Sequence, residues 1–277
     1  MIAAYFRSEI IRILVVIVTL LFAIPFLNLN AQDDTPSPYL IRMHVLEVEG
    51  NLGAFIQANR NFYKPLAKQG VKDGKWAGWA MFRSFSNGNI FVFFHHYNSP
   101  EQYANSGNVF STEIAEELGL EMPDSSKWTW KSLGSNELWQ LNGFVMGKSR
   151  SNFFVFNKFK FAFPDKQKFI ENNRAWGELV VKPQLDEIKG SSWAVATLVT
   201  SASYEDQEST KYNGISFDGF DSLEQILHRR SYKESGGIAA NVNWQNFQKY
   251  VNENDLTEFN SAVSSSIYIH LDSTWDE

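Results

Sequence analysis

Phe55-Ile56-Gln57-Ala58-Asn59-Arg60 in the first half of the chain returns as Phe169-Ile170-Glu171-Asn172-Asn173-Arg174 in the second. The neighbourhoods of the two hexapeptides also agree in kind. Lys64-Pro65 matches Lys182-Pro183 after a four-residue insertion, Trp76 is paired with Trp193, and Glu101-Gln102 with Glu224-Gln225. Matches in this order mark an internal duplication, one supersecondary unit present twice, whose copies are expected to bury a face against each other.

Working outward from the first hexapeptide, Tyr39 to Glu49 reads as a strand, and apolar residues from Leu52 to Leu66 fall at helical spacing within Asn51 to Gln69. Trp76 to Phe85 and Ile90 to Tyr97 read as two further strands about an Asn87-Gly88-Asn89 turn. Asn98-Ser99-Pro100-Glu101 opens a second helix with a cap and an early proline. A fourth strand is expected over Glu137 to Met146. The second half repeats the order: strand Phe153 to Phe163, helix Asp165 to Ile188, strands Trp193 to Thr200 and Gly214 to Phe220, a helix from Asp221-Ser222-Leu223-Glu224, and a closing strand Ser264 to Leu271.

Strand, helix, strand, strand, helix, strand is the split βαβ order, an antiparallel sheet with helices on one face only. The class is therefore α+β, a tandem duplication of a βαββαβ ferredoxin-like unit, with repeats at 38–148 and 152–275. Two such units can cover each other's bare sheet faces. In this arrangement the chain resembles the dimeric α+β barrel superfamily in its fused, two-repeat form, an intramolecular barrel. The resemblance rests on element order and repetition, and implies an interior that holds a small organic molecule. It includes cofactor-free monooxygenases, isomerases, cyclases and haem enzymes, and fold alone does not choose among them.

Residues 1–31 read as a signal peptide. Arg7 and Arg12 precede an apolar run from Ile13 to Leu27, short against the roughly 20 residues a spanning helix needs, and Ala31 offers a cleavage position. The expectation is an exported protein, periplasmic or secreted, with no membrane attachment after cleavage. Removing this segment takes two Arg and one Glu, so the formal charge moves from −6 to about −7. Acidic balance without a basic stripe argues against a nucleic-acid partner. The absence of cysteine excludes disulfides and thiolate metal sites.

Candidate functional residues come from the strands. Arg42 and His44 share one face of the first strand, while Ile41, Met43 and Val45 share the other. The apolar set is expected to face the helices, which sends Arg42 and His44 into the barrel interior, with Lys158 and Lys160 as their counterparts in the second repeat. Only one of His95 and His96 can join His44 on its face. The positions matching them in the second repeat are Asp218 and Gly219, so the copies differ at polar strand positions, as one functional pocket in a duplicated fold would require. His44, His95 and His96 are the candidate proton-transfer groups; Arg42, Arg83, Lys158 and Asp218 are the candidate ligand contacts.

Other chemistries lack their motifs. There is no HExxH or DxD pattern for a metal, no Gly-x-Ser-x-Gly nucleophile and no glycine-rich phosphate loop, and nothing calls for a cofactor. Trp128 and Trp130 share a face if extended and lie near Trp139 in a long connection, either as a lid or as a local apolar cluster. Two readings follow: a small-molecule binding protein or cofactor-independent enzyme with its site in the barrel interior of repeat 1, or a non-catalytic exported interaction module. A barrel interior filled by Phe side chains with no cavity left rules out the first, and an open polar-lined one weakens the second.

Overall fold

The computed structural model describes residues 40–147, 151–184, 192–201, 212–227, 242–259 and 262–275. The proposed leader and His228 lie outside them. Among the described residues there are eight strands: β1 (Leu40–Gly50), β2 (Gly78–Ser84), β3 (Ile90–Tyr97), β4 (Trp128–Val145), β5 (Phe153–Phe159), β6 (Ser192–Ser201), β7 (Gly214–Phe220) and β8 (Ser264–Ser273). They close one barrel in the order β1-β3-β2-β8-β5-β7-β6-β4, antiparallel throughout. Each repeat keeps the expected order, with its first strand between its third and fourth. The halves also hydrogen-bond edge to edge, β2 to β8 and β4 to β6. Closure removes the four edges that two separate sheets would expose.

Alternation along each strand then buries both faces. Ile41, Met43, Ala80, Phe82, Val92 and Phe94 from the first repeat meet Phe156, Ile215, Phe217 and Tyr268 from the second in the lumen. The opposite face of each half-sheet packs on its own helices: Phe55, Trp79, Met81, Phe91 and Phe93 in the first repeat, Phe169, Val180, Trp193 and Val195 in the second.

The hexapeptides lie on the helices that follow β1 and β5. Leu52–Ala58, Asn59–Tyr63 and Lys64–Lys72 run on as α1, capped by the Asn51 side chain accepting from the Ala54 N–H at 3.0 Å. Lys166–Trp176, Gly177–Val181 and Lys182–Gln184 form the second-repeat helix. In both, a π-turn stands immediately before Lys-Pro. Proline has no N–H to give and its ring collides with the carbonyl four residues back; widening the turn so that the lysine N–H reaches five residues back, to Asn59 O and to Gly177 O, relieves that collision. The insertion shows as a later start of the π-turn: at Asn59, inside the hexapeptide, in the first repeat and at Gly177, beyond it, in the second.

The repeated residues do the same work twice. Phe55 and Phe169 fill the helix-sheet cores. Asn59 and Asn173 are buried and donate to the Phe55 and Phe169 carbonyls at 2.9 and 3.0 Å. Arg60 and Arg174 each cross a seam to the last strand of the other repeat: Arg60 Nε lies 3.4 Å from Asp272, which Lys64 also meets, and Arg174 Nε donates to Asn142 O at 2.6 Å. Both arginines are exposed, so Arg174→Ala should cost about 0.5–1.5 kcal/mol in urea unfolding, the worth of one hydrogen bond, and Arg60→Ala, a half-exposed ion pair, under about 1 kcal/mol.

The remaining helices are short. In repeat 1 these are Pro100–Asn105, capped by Ser99, and Thr112–Glu117, capped by Ser111. In repeat 2 they are residues 223–227, where Ser222 Oγ accepts from the Gln225 N–H, and Val242–Glu253. The strand register corrects one pairing read from the sequence. Trp79 lies opposite His95 and Trp193 opposite Asp218, so Trp193 corresponds to Trp79; Trp76 precedes β2. Among the described residues no helix is long and apolar enough to cross a membrane.

Candidate functional site

The structure reverses the expected facing of β1. Ile41, Met43 and Val45 point into the lumen among the aromatic rings of both repeats, and Arg42 and His44 point toward the helix layer of repeat 1. The sequence pattern sends the apolar set toward the helices. In a closed barrel the lumen is the drier face, and an unpaired guanidinium there would carry a desolvation cost of several kcal/mol. Beneath the helix layer, near the strand end, Arg42 and His44 remain partly accessible.

On this face the ladder places Arg42 opposite His95. The His95 ring lies between two others: His44 at a centroid distance of 4.9 Å and Trp76 at 4.5 Å, tilted by 35° and 36°. Phe110 approaches His95 edge-on at 6.1 Å and Trp76 at 5.2 Å. Tyr97, next along the same face, meets Tyr103 at 5.1 Å, and Tyr63 from the π-turn of α1 meets Phe110 at 5.4 Å. The result is a packed cluster roofed by aromatic side chains, termed the chamber below. Its floor carries one cation and two imidazoles.

Electrostatics hold those imidazoles neutral. Burial, and then the Arg42 charge, lower the His44 pKa to about 4. His95 is pushed well below the ordinary histidine range, first by burial and then by His44, Arg42 and His96. Burial raises the Tyr97 hydroxyl despite the Arg42 charge nearby. Three buried polar atoms here have no hydrogen-bond partner: Arg42 Nε, His44 Nε2 and Trp76 Nε1. Such atoms cost about 1–3 kcal/mol each when left unmet, so three gathered around one ring call for an explanation beyond packing.

In the second repeat the same place holds polar groups that bond to one another. By register, Asp218 occupies the His95 position and Val155 the Arg42 position, which leaves Asn157 at the His44 position. Asn157 Nδ2 donates to Asp218 and to Ser216 Oγ, and Ser265 Oγ donates back to Asn157 Oδ1 at 2.7 Å. Lys158 and Lys160 are therefore not the counterparts of Arg42 and His44. Lys158 is on the lumen side, its Nζ 4.1 Å from the Tyr212 ring centre. Asp218 belongs to this second network and not to the first-repeat cluster.

The other candidates separate from the chamber. His96 faces the lumen beside Phe94 and is covered by Trp275 at 4.8 Å; burial lowers its pKa to about 3. His270 is also lumenal, stacked on Phe82 at 5.1 Å. Arg83 lies opposite Phe91, four residues along β3 from His95 or about 13 Å, and its Nε donates to Gly88 O at 2.6 Å, closing the hairpin. The tryptophans of the long connection form no lid. Trp128 is buried against Phe55 at the start of β4, Trp130 is exposed, and Trp139 is lumenal, stacked on Tyr212. No group of three or more His, Asp or Glu converges as a metal site among the described residues.

Sequence reading missed Trp76, Tyr97 and Phe110 as parts of the chamber. Trp76 had been placed within a strand, and only the ladder shows it lying just outside β2, over His95. It also missed Glu137, a carboxylate buried in the lumen wall, which accepts from Trp139 Nε1 at 3.1 Å and from the Tyr212 hydroxyl at 2.8 Å.

No family model matches the chain and no curated protein matches it. Solved structures do resemble it. An anthrone oxidase-like protein is 11% identical, with 87% of this chain and 96% of that one covered and a TM-score of 0.47. A proposed monooxygenase from Lactobacillus acidophilus NCFM is 9% identical, with coverage of 85% and 95% and a TM-score of 0.44. A ferredoxin-fold protein from Listeria monocytogenes, described as related to antibiotic biosynthesis monooxygenases, is 9% identical, with coverage of 83% and 95% and a TM-score of 0.33. With the strand order β4-β1-β3-β2 in one half, its repetition as β8-β5-β7-β6 in the other and the joining of both into a closed ring, the chain has the dimeric α+β barrel fold in fused form.

Proposed function

We propose that the helix-covered chamber of repeat 1 binds a small organic molecule, which the protein either carries or converts without a cofactor. One observation carries this reading: Arg42 Nε, His44 Nε2 and Trp76 Nε1 are buried without partners around His95, while in repeat 2 Asn157 and Asp218, at the His44 and His95 positions, bond to each other and an apolar Val155 stands in place of Arg42. A duplicated scaffold has no structural need for that difference. A ligand that accepts hydrogen bonds would answer the Arg42 and Trp76 donors, and His44 Nε2 where that nitrogen carries the proton, and the Phe110 and Tyr103 rings would cover its apolar body. The apolar run near the N-terminus supports export as the setting.

The aromatic filling of the lumen supports a second reading, in which the barrel is a scaffold for a partner protein and binds no small molecule. Thermal shift separates the two, since a ligand that binds only the folded state raises the melting temperature. We expect small aromatic acids such as salicylate to stabilise the protein. Trp76→Phe, which keeps a ring and removes the donor, should weaken binding about fivefold, the worth of about 1 kcal/mol for one hydrogen bond. His96→Leu should leave binding unchanged. Binding that ignored Trp76→Phe and His44→Ala but vanished in His96→Leu would place the site in the lumen and refute the proposal.

A further inference from the structure

Arg42 is half-buried and carries a fixed positive charge. The groups that face it are neutral at pH 7: His44 on its own strand, and His95 and the Tyr97 hydroxyl on β3. Trp76 and Phe110 come from the connections above, and Tyr103 from the helix Pro100–Asn105. Among the described residues no carboxylate pairs with Arg42. The contrast with the rest of the molecule is sharp. Lys64 and Arg60 share Asp272, and Arg174 reaches a backbone carbonyl. A half-buried guanidinium that meets the neutral Tyr97 hydroxyl but no counter-charge is a costly arrangement, and its Nε lies with two other buried atoms that have no hydrogen-bond partner, His44 Nε2 and Trp76 Nε1.

Resting on the chamber reading above, we infer that the natural occupant is an aromatic carboxylate, its anionic head held by Arg42 and Trp76 and its ring packed against the surrounding aromatic side chains, the face of Trp76 toward His95 being already covered. Planar guanidinium and planar carboxylate match in geometry as well as charge. An anion placed beside His44 also opposes the two influences that keep this imidazole neutral, so binding should draw in a proton. The uptake should be largest just above the pKa of free His44, near pH 5.

The experiment compares matched acid and amide pairs, benzoate with benzamide and salicylate with salicylamide, by calorimetry on the full protein in two buffers of different ionisation enthalpy. The inference predicts that each acid binds at least tenfold tighter than its amide, with net proton uptake at pH 5. Arg42→Gln should abolish the preference, and Trp76→Phe should reduce affinity for both members of a pair alike. If Arg42→Gln does not fold, wild-type affinity for the acids read against salt supplies the same test, because a charge-held head loses affinity as salt rises. Equal affinity for acid and amide overturns the anion inference and leaves the chamber reading standing. Binding of neither overturns both.

Discussion

Phe156→Ala should destabilise the protein by about 3–5 kcal/mol and should do so in one transition that involves both repeats. Phe156 belongs to the second repeat, yet its ring meets Phe94 at 5.5 Å and Phe82 at 5.6 Å from the first, along with Phe217 at 4.9 Å and Tyr268 at 4.3 Å from its own. Truncation removes area burial from all of these and leaves a void bounded by rigid rings on every side, which limits collapse. Because the lumen is common property, neither half can lose it alone. Urea unfolding followed by tryptophan fluorescence and by far-ultraviolet dichroism should give coincident curves. Two separated transitions, with one unaffected by the substitution, would mean that the repeats are independent domains.

Acid should be the second strong perturbant. His96 and His44 have folded-state pKa values lowered to about 3 and about 4, and His95 is lowered too; unfolded, each titrates near 6.5. Between those limits the unfolded chain binds protons that the folded chain refuses, so stability rises with pH through the window and falls as pH drops below about 6.5. For His96 the loss should reach roughly 3 kcal/mol by pH 4; His44 is partly exposed and should contribute less. His96→Leu should flatten the dependence, visible as a smaller shift of the urea midpoint between pH 7.5 and pH 4.5. A variant as acid-sensitive as the parent would show that His96 is accessible to protons in the folded state.

Much of this architecture is legible in the chain itself, for identifiable reasons. The hexapeptides can be matched by eye because their Phe, Asn and Arg serve the same three contacts in each copy. Gly214–Phe220 was bounded correctly from its apolar run between turn signals. β4 was not: it runs from Trp128 to Val145, whereas the sequence reading began it at Glu137. Its first half, Trp-Thr-Trp-Lys-Ser-Leu-Gly-Ser, alternates poorly, and it is extended because it pairs with residues 46–50 of β1 across an irregularity in register. Tertiary pairing overrode local pattern there.

Part of the candidate cluster is legible in the sequence. Arg42 and His44 are read together with one of His95 and His96, the choice between the two left open, and the copies differ at those positions, because strand alternation and the duplication are both written in the sequence. What could not be read was which face was which. A half-buried sheet shows its dry side by its apolar residues, but a barrel with helices outside is apolar on both sides, and the distinction between β1's two sets lies in what the other repeat supplies. Trp76 was hidden for a related reason: its place over His95 follows from where β2 begins, and strand ends are poorly marked by composition.

The claim on which the rest depends is that the functional face of repeat 1 lies under its helices and not in the lumen. Ring nitrogen spectra of histidine-labelled protein test it most directly, since the two faces carry different imidazoles. Salicylate added to saturation should move the signals of His44 and His95 and leave those of His96 and His270 where they were. Movement of His96 and His270, with His44 and His95 unchanged, would contradict the assignment.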